Sequence, residues 1–300
     1  MLARVQKLLV LCALACALAW LAIFRTHSAL FSVAGLFFLL FLPVGLLALQ
    51  FVLAAAVNRH DPTAQGTKLQ WVRAWLAEVI AAAQVFFWWQ PFRSNAYPDH
   101  LPGNSDARSR GVVFLHGFVC NRGLWTPWLR TLRDRRIPFI ALNLEPVFGS
   151  IDGYAPQVDA AVTRITHATG CSPLLVCHSM GGLVARAWLR ASGGDSRVHH
   201  VITIGSPHHG TGLGDWGPAL PWLANAEQMR LHSGWLAALQ QDEPVERSRG
   251  FTCFHSNYDN IVFPASTATL SGANNRLVPG AAHLAMALAP DVMAESLALL

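Results

Sequence analysis

Two long apolar runs open the chain, and neither contains a charged residue. The first, residues 8–24, is just long enough to cross a bilayer as a helix. The second, residues 29–57, would be about 43 Å long as a helix, which is enough to span with tilt or with a kink at Pro43. The two runs together predict a two-helix transmembrane anchor over residues 1–60.

Two other interpretations of this start compete with the helical hairpin. A cleaved signal peptide fits residues 1–22, which have basic residues, an apolar core and Ala-x-Ala sites. A lipoprotein anchor at Cys16 fits less well, because Ala13 rather than leucine stands three residues before it. We favour the hairpin, because only residues 25–28 separate the two runs and the hairpin explains both of them.

Basic residues predict the orientation of this hairpin. They lie before the first run and after the second, whereas only Arg25 lies between the runs. The positive-inside rule then places both ends, and the remaining chain, in the cytoplasm. Because arginine far outnumbers lysine and alanine is abundant, we expect a bacterial genome and hence a multi-pass protein of the inner membrane. The flanking basic residues are Arg4, Lys7, Arg59, Lys68 and Arg73.

A third apolar pattern, in residues 68–90, recurs at intervals of three and four and predicts an amphipathic helix with an aromatic end. Two interpretations stay open. The helix packs on the following domain, or it lies at the membrane surface with its aromatic end as an interfacial belt. Residues 97–110 are rich in Pro, Gly, Asn and Ser, so residues 61–110 are expected to form a helix and a linker. The apolar positions are Leu69, Val72, Leu76, Val79, Ile80, Ala83 and Phe87.

After residue 110, short apolar segments alternate with amphipathic ones. This alternation predicts an α/β fold over residues 111–300, with a mostly parallel sheet and helices on both faces. The expected strands are residues 112–115, 137–142, 174–177, 198–205 and 251–256. The expected helices are residues 124–135, 154–169, 181–191 and 290–300.

A long insert, about residues 210–250, separates the last two expected strands. It is either an ordinary surface excursion or a cap over the site. We favour a cap or lid, because connections of this length are unusual unless they are functional. Its tryptophans, Trp216, Trp222 and Trp235, are expected to line an apolar substrate pocket.

Composition narrows the class of partner. Charged residues make up only 13% of the 300 residues, and the net charge is +5. Because the arginines are spread without a basic cluster, we expect no nucleic-acid partner, and the charge suits an anionic membrane surface. The six cysteines lack metal-site spacing, so we expect no metal and no structural disulfide, in keeping with a reducing compartment.

The candidate chemistry centres on Ser179. An apolar segment, residues 174–177, leads into this serine, and a helical pattern follows it. Such a strand–turn–helix setting is typical of a nucleophile elbow, G-x-S-x-G, with Cys177 in place of the first glycine. The flanking positions must be small because strand and helix nearly touch there. Gly181 meets this requirement, and Cys177 is expected to be tolerated. The Met180 N–H is placed to donate to an oxyanion.

A reactive serine needs a histidine that accepts its proton and a carboxylate that holds this histidine. In this class of fold both follow the serine along the chain. Asp259 comes directly after an expected strand, and His283 is the only histidine beyond it. We therefore expect Ser179, Asp259 and His283 to act together. The acids with weaker claims are Asp242, Glu243 and Asp291.

A second oxyanion donor is expected in the loop after the first strand. Here His116 and Gly117 lead into a turn, and the N–H of Phe118 is positioned to face the serine. A His-Gly pair alone means little. After a strand and upstream of an elbow, it supports the same chemistry.

Together these segments resemble the α/β-hydrolase superfamily, in particular its bacterial triacylglycerol lipases and esterases. The resemblance covers residues 111–300 and implies Ser179 as nucleophile, with Asp259 and His283 as its partners. It also implies the N–H groups of Phe118 and Met180 as oxyanion donors. The segments that carry it are residues 116–118, 178–183, 205–211 and 259–262, together with His283.

The resemblance further implies which residues border the substrate and which cofactors are absent. The expected substrate-binding residues are His116, Gly117, His178 and His208. Some secreted lipases of this type bind calcium through acids near the histidine loop. Residues 271–289 contain no carboxylate, so we expect no calcium site, and no cofactor.

The expected function is a membrane-anchored serine hydrolase that cleaves carboxylic esters, of lipid or acyl type, through an acyl-enzyme. A thioesterase or an acyltransferase stays open, because the elbow does not define which group receives the acyl chain. A non-catalytic membrane scaffold is disfavoured, since all three reacting residues are present. A small transporter would need more spans with polar residues inside them. Acyl chain length, head group and oligomeric state are left open.

Overall fold

The computed structural model describes residues 1–26, 28–63, 66–102, 109–216 and 222–300. A five-residue π-helical turn, Val85–Trp89, follows the helix Lys68–Gln84. The strands are β1 (Val112–Leu115), β2 (Phe139–Ala141), β3 (Leu174–His178), β4 (His200–Ile204), β5 (Phe251–His255) and β6 (Asn274–Leu277). The helices are α1 (Leu2–Phe24), α2 (Ala29–Asn58), α3 (Lys68–Gln84), α4 (Gln90–Phe92), α5 (Thr126–Asp134), α6 (Ala155–Thr169), α7 (Met180–Ser192), α8 (Ala224–Gln228), α9 (Gly234–Gln241), α10 (His283–Ala287) and α11 (Pro290–Leu297).

The six strands form one parallel sheet in the order β2-β1-β3-β4-β5-β6. All residues of strands β1 to β5 except His200 are buried, and most of them are aliphatic or aromatic, because helices cover both faces of a parallel sheet. These five strands and the parallel arrangement confirm the fold predicted from the sequence. Strand β6 was not predicted, since all four of its residues are exposed at the sheet edge.

Two hydrophobic clusters, one on each face of the sheet, hold the helices in place. Val113 and Leu115 of β1 point to the face covered by α6 and α7, where Trp188 is fully buried. Their neighbours Val112 and Phe114 point to the opposite face, which α3, α5 and α11 cover. This alternation along one strand confirms helices on both faces. We call residues 109–300 the sheet domain.

Helices α1 and α2 form a hairpin that meets the sheet domain at both of its ends. Two helical segments, Leu2–Phe24 and Phe41–Asn58, are long and apolar enough to cross a membrane by length and composition. The amino group of Met1 lies 2.6 Å from Glu145, and Asn58 donates to the backbone of Asn257 at 3.2 Å. The start of α1 and the end of α2 therefore lie against the same domain.

Helix α3 packs on the sheet domain with the side opposite to its apolar stripe. Ala74, Glu78, Ala81 and Val85 are buried beneath it. The apolar positions that the periodicity singled out face outward instead, and five of them are 49–60% exposed. Helix α3 therefore packs on the domain, but through the side opposite to the one that the periodicity singled out. The five, called the α3 stripe below, are Leu69, Val72, Leu76, Ile80 and Phe87.

The described part of the insert packs α8 and α9 on the α6–α7 side of the sheet, through Met229, Leu236 and Leu239. Trp235 donates from its indole nitrogen to Asp152 at 2.6 Å, and Trp222 is 71% exposed. The expected pocket is therefore not formed by these two tryptophans. Residues 217–221 and the side chain at position 216 lie outside the described part of the chain.

Candidate active site

Ser179 lies at the sharp turn between β3 and α7. Its backbone adopts φ +54° and ψ −126°, a conformation that residues other than glycine rarely adopt. Helix and strand come very close here, since a Cβ on Gly181 would lie 2.3 Å from the carbonyl oxygen of Leu115. Position 181 must therefore be glycine, as the elbow motif requires.

Cys177 occupies the position where the motif has its first glycine. Its side chain is fully buried in the cluster on the α6–α7 face and lies opposite Leu115 in the sheet register. Burial raises the pKa of this thiol, so it stays neutral and acts as a small apolar side chain.

Asp259 and His283 form a hydrogen-bonded pair. The two oxygens of Asp259 have separate partners. Oδ1 accepts from the backbone N–H groups of Ile261 and Val262, both at 2.8 Å, and Oδ2 lies 2.9 Å from Nδ1 of His283. One carboxylate thus stabilises its own turn and orients the imidazole, leaving Nε2 of His283 available to act as a base.

The surrounding contacts bring the Asp259–His283 pair to the elbow. The ring of His178 lies 4.6 Å from the ring of His283, and its Nε2 donates to the His283 carbonyl oxygen at 3.3 Å. A Cβ on Gly205 would lie 3.0 Å from Asp259 Oδ2 and 3.1 Å from His283 Nδ1. The N–H of Ser179 donates to the carbonyl just before this glycine, at Ile204. The carboxyl ends of β3, β4 and β5 therefore converge at one place.

The pKa values of His283 and His178, whose rings are in contact, are shifted in opposite directions. Burial alone would disfavour a charged His283, but the charge and hydrogen bond of Asp259, together with the charge of Glu78, raise its pKa above the ordinary value. Burial and the neighbouring His283 hold the pKa of His178 well below the ordinary value. Of this pair, His283 is the one that can accept a proton.

The loop after β1 touches the elbow. A Cβ on Gly117 would lie 2.8 Å from Cβ and 3.3 Å from Oγ of Ser179, so this loop runs directly beside the serine. Val119 adopts φ +54°, a strained conformation for a β-branched residue, which turns the chain just after Phe118. Phe118 follows Gly117 in this loop, and Met180 begins α7 directly after Ser179.

Comparisons with known proteins agree with this arrangement. The family model described as the Alpha/beta hydrolase family matches residues 112–295. The chain belongs to this family. Over 113 residues the hydrolase is also 32% identical to the pimeloyl-[acyl-carrier protein] methyl ester esterase of Shewanella sp. (strain MR-7). That stretch covers 36% of this chain and 40% of the esterase, so less than half of the relative's length is matched.

Solved structures share the fold of this hydrolase. The mature lipase BlEst2 of Bacillus licheniformis superposes with a TM-score of 0.53 at 19% identity, over 62% of this chain and 90% of that one. Its propeptide form gives a TM-score of 0.52 at 19% identity, over 63% of this chain and 49% of that one. At such identity the likeness shows the fold alone.

Three expected substrate-binding histidines have different surroundings in the hydrolase. His116 donates to the Gly117 carbonyl and accepts from the N–H of Leu144, and burial lowers its pKa to about 4. His208 is buried against Thr203, at 3.0 Å. Both rings are buried and hydrogen-bonded within the chain, and their role in substrate binding stays a prediction. Among the described residues, Nδ1 of His178 has no partner, and it lies beside Gly117.

Reasoning from the sequence missed several polar residues that hold the catalytic loops. Glu78 of α3 accepts from the backbone of the helix that begins at His283, and Asn260 accepts from the N–H of His283 itself at 3.3 Å. The sequence does single out Glu78, since it is the only acidic residue between Asp61 and Asp99 and lies in a segment with an apolar helical pattern. Among the described residues, no cluster of three or more His, Cys, Asp or Glu could hold a metal.

Proposed function

We propose that this α/β-hydrolase is a membrane-held serine esterase or lipase that cleaves carboxylic esters of lipid or acyl type. The observation that carries the proposal is the 2.9 Å contact between Asp259 and His283, whose ring lies 4.6 Å from that of His178, the residue before the strained Ser179. A serine in that backbone conformation has no evident structural use, whereas strain of this kind recurs at reacting groups.

In the proposed reaction, Oγ of Ser179 attacks the ester carbonyl while Nε2 of His283 takes its proton. Asp259 stabilises the imidazolium that forms, and the N–H groups of Phe118 and Met180 hold the oxyanion. His283 then gives its proton to the leaving alcohol. Water, activated by the same histidine, hydrolyses the acyl-enzyme.

The ester substrate class is supported by the relative from Shewanella, whose name specifies a methyl ester esterase. The apolar hairpin favours a lipid-like ester as substrate. Both of its ends lie beside the sheet domain, so a hairpin inserted in a membrane would hold that domain close to lipids. From the basic flanks of the hairpin we further propose an inner-membrane location with the sheet domain in the cytoplasm.

A fluorophosphonate probe tests the proposed nucleophile in the full-length protein in native membranes. Wild type and the control Ser192→Ala, an exposed serine at the end of α7, should be labelled. Ser179→Ala should lose labelling and at least about 1,000-fold in hydrolysis of p-nitrophenyl butyrate. Full activity in Ser179→Ala would refute the proposal. A chain-length series of p-nitrophenyl esters on the labelled enzyme then defines the acyl group.

A further inference from the structure

The short helix that carries His283 depends on a distant residue for its N-terminal hydrogen bonds. Helix α10 has Ala282 at its N-cap, and alanine has no side-chain acceptor. The N–H of Leu284 lies 2.9 and 3.0 Å from the two carboxylate oxygens of Glu78, and the N–H of Ala285 lies 3.0 Å from one of them. Asn260 accepts from the N–H of His283. Glu78 therefore replaces the missing cap.

Glu78 occupies an unusual place for a carboxylate. It is 1% exposed, on the side of α3 that packs against α10, and burial raises its pKa to about 7. A buried carboxylate costs free energy unless its oxygens are hydrogen-bonded. Here two backbone N–H groups donate to the Glu78 carboxylate. An apolar side chain would pack at this position without the cost of burying a charge, so we infer that the carboxylate has a further role.

The charge of Glu78 also acts on the imidazole. The titratable groups that face His283 are Asp259 from the loop after β5, His178 at the end of β3, and Glu78 from α3. The two carboxylates favour the protonated ring, whereas His178 stays neutral. Glu78 thus adds a second negative charge on a separate element.

We propose that Glu78 is a positioning residue for His283, holding the helix that carries the imidazole and favouring the imidazolium formed during ester attack. This inference rests on the proposed function. Glu78 itself exchanges no proton. In the step concerned, the bond between Oγ of Ser179 and the carbonyl carbon forms, the carbonyl π pair moves to the oxyanion, and the serine proton passes to Nε2 of His283.

The test is the pH dependence of kcat/KM for Glu78→Gln in the full-length protein. The glutamine keeps one acceptor but removes the charge, so the pKa of His283 should fall. The acid limb of the profile should then move to lower pH by about one unit, since neutral His283 is the active base. Above the limb, kcat should fall about tenfold with KM unchanged, because Glu78 does not contact the substrate.

Two further variants separate charge from folding. Val85→Ala removes packing from the same side of α3 and should lower stability without moving the acid limb. Glu78→Ala combined with Ala282→Ser gives α10 a cap of its own; thermal stability should recover relative to Glu78→Ala alone, while the acid limb stays shifted.

Thermal unfolding against pH supplies an independent readout. The folded-state pKa of Glu78, about 7, lies above its unfolded value of 4.5, so its contribution to wild-type stability should decrease as pH rises from 4.5 to about 7. Glu78→Gln should lack this loss. An acid limb that coincides with wild type in an enzyme dependent on Ser179 would overturn this inference alone. Activity that survives Ser179→Ala would overturn the proposed function, and this inference with it.

Discussion

At the residue scale, the Asp259–His283 pair occupies space that a missing side chain leaves open. Gly205 lies directly against this pair at φ +58°. A Cβ at this position would lie only 3.0 Å from Asp259 Oδ2 and 3.1 Å from His283 Nδ1. The backbone freedom of glycine and the absence of Cβ are both used at this position. A substitution here acts on the geometry of the reacting groups and not on the groups themselves.

We expect Gly205→Ala to lower kcat for p-nitrophenyl butyrate about 100-fold, because the methyl group displaces the hydrogen-bonded pair by a fraction of an ångström or more. Gly193→Ala is the matched control: Gly193 has φ +57° but nothing within 4 Å of a Cβ. Both variants add similar strain, about 1–2 kcal/mol. Equal kcat in the two variants would mean that the contact at Gly205 has no catalytic consequence.

The residues of the site differ in how far the sequence could predict them. Ser179 and Asp259 each follow a recognisable strand, His283 is the only histidine beyond Asp259, and the order of the three along the chain is that expected for the fold. Glu78 could not be assigned in this way, because its hydrogen bonds reach Leu284, 206 positions away. The local sequence pattern shows that a carboxylate interrupts an apolar helix, but it does not show which backbone N–H groups donate to that carboxylate.

At the element scale, periodicity predicted α3 correctly but not which side of it is buried. The rule that an apolar stripe faces the core holds when water is the solvent on the other side. Here small residues and Glu78 face the domain, and the α3 stripe faces outward. Strand β6 and helix α10 were missed for a different reason: β6 has no buried residue, and α10 has only five residues and no cap of its own.

Helix α1 takes part in the site through a single polar residue. Gln6 is 8% exposed and is the buried residue of α1. Its Nε2 donates to Gln90 at 2.9 Å and to the carbonyl of Val119 at 3.3 Å, and its Oε1 accepts from Asn121 at 2.9 Å. Val119 follows Phe118, so α1 is bonded to the loop that is proposed to bind the oxyanion.

Gln6→Ala should therefore loosen this loop. We expect kcat to fall about tenfold, less than the loss of a whole oxyanion donor, and unfolding free energy to fall by about 1–3 kcal/mol. Steady-state kinetics and chemical denaturation measure the two effects. Gln84→Ala, an exposed glutamine of α3, is the control and should change neither. A Gln6→Ala enzyme that loses stability but keeps wild-type kcat would exclude a role in the loop.

At the scale of the whole molecule, the helices outside the family match surround the site. Residues 112–295 form the hydrolase fold, but the first three helices contact its three reacting loops. Gln6 of α1 reaches the loop after β1, Gln50 of α2 accepts from Asn260 beside the acid at 2.9 Å, and Glu78 of α3 binds the histidine helix. The N-terminal helices are therefore part of the structure around the site as well as the proposed membrane anchor.

The exposed apolar surface of the molecule is concentrated on these same helices. Side chains of α1 and α2 such as Leu18 and Leu30 are 68% and 81% exposed, and the α3 stripe adds a further apolar surface beside them. In water such a surface would drive association, whereas a bilayer would cover it. Since α3 also holds the histidine helix, the bilayer and the site would then contact opposite sides of one helix.

We expect the α3 stripe to lie in the lipid interface, and a fluorescent label tests this. With Cys12, Cys16 and Cys171 replaced by alanine, a bimane at Leu76→Cys should be quenched by doxyl-labelled lipids in nanodiscs, because its side chain is 49% exposed and faces the acyl region. The same label at Asp134→Cys, exposed at the carboxyl end of α5, should not be quenched. Equal quenching at the two positions would mean that α3 faces water, and the hairpin alone would then hold the hydrolase at the membrane.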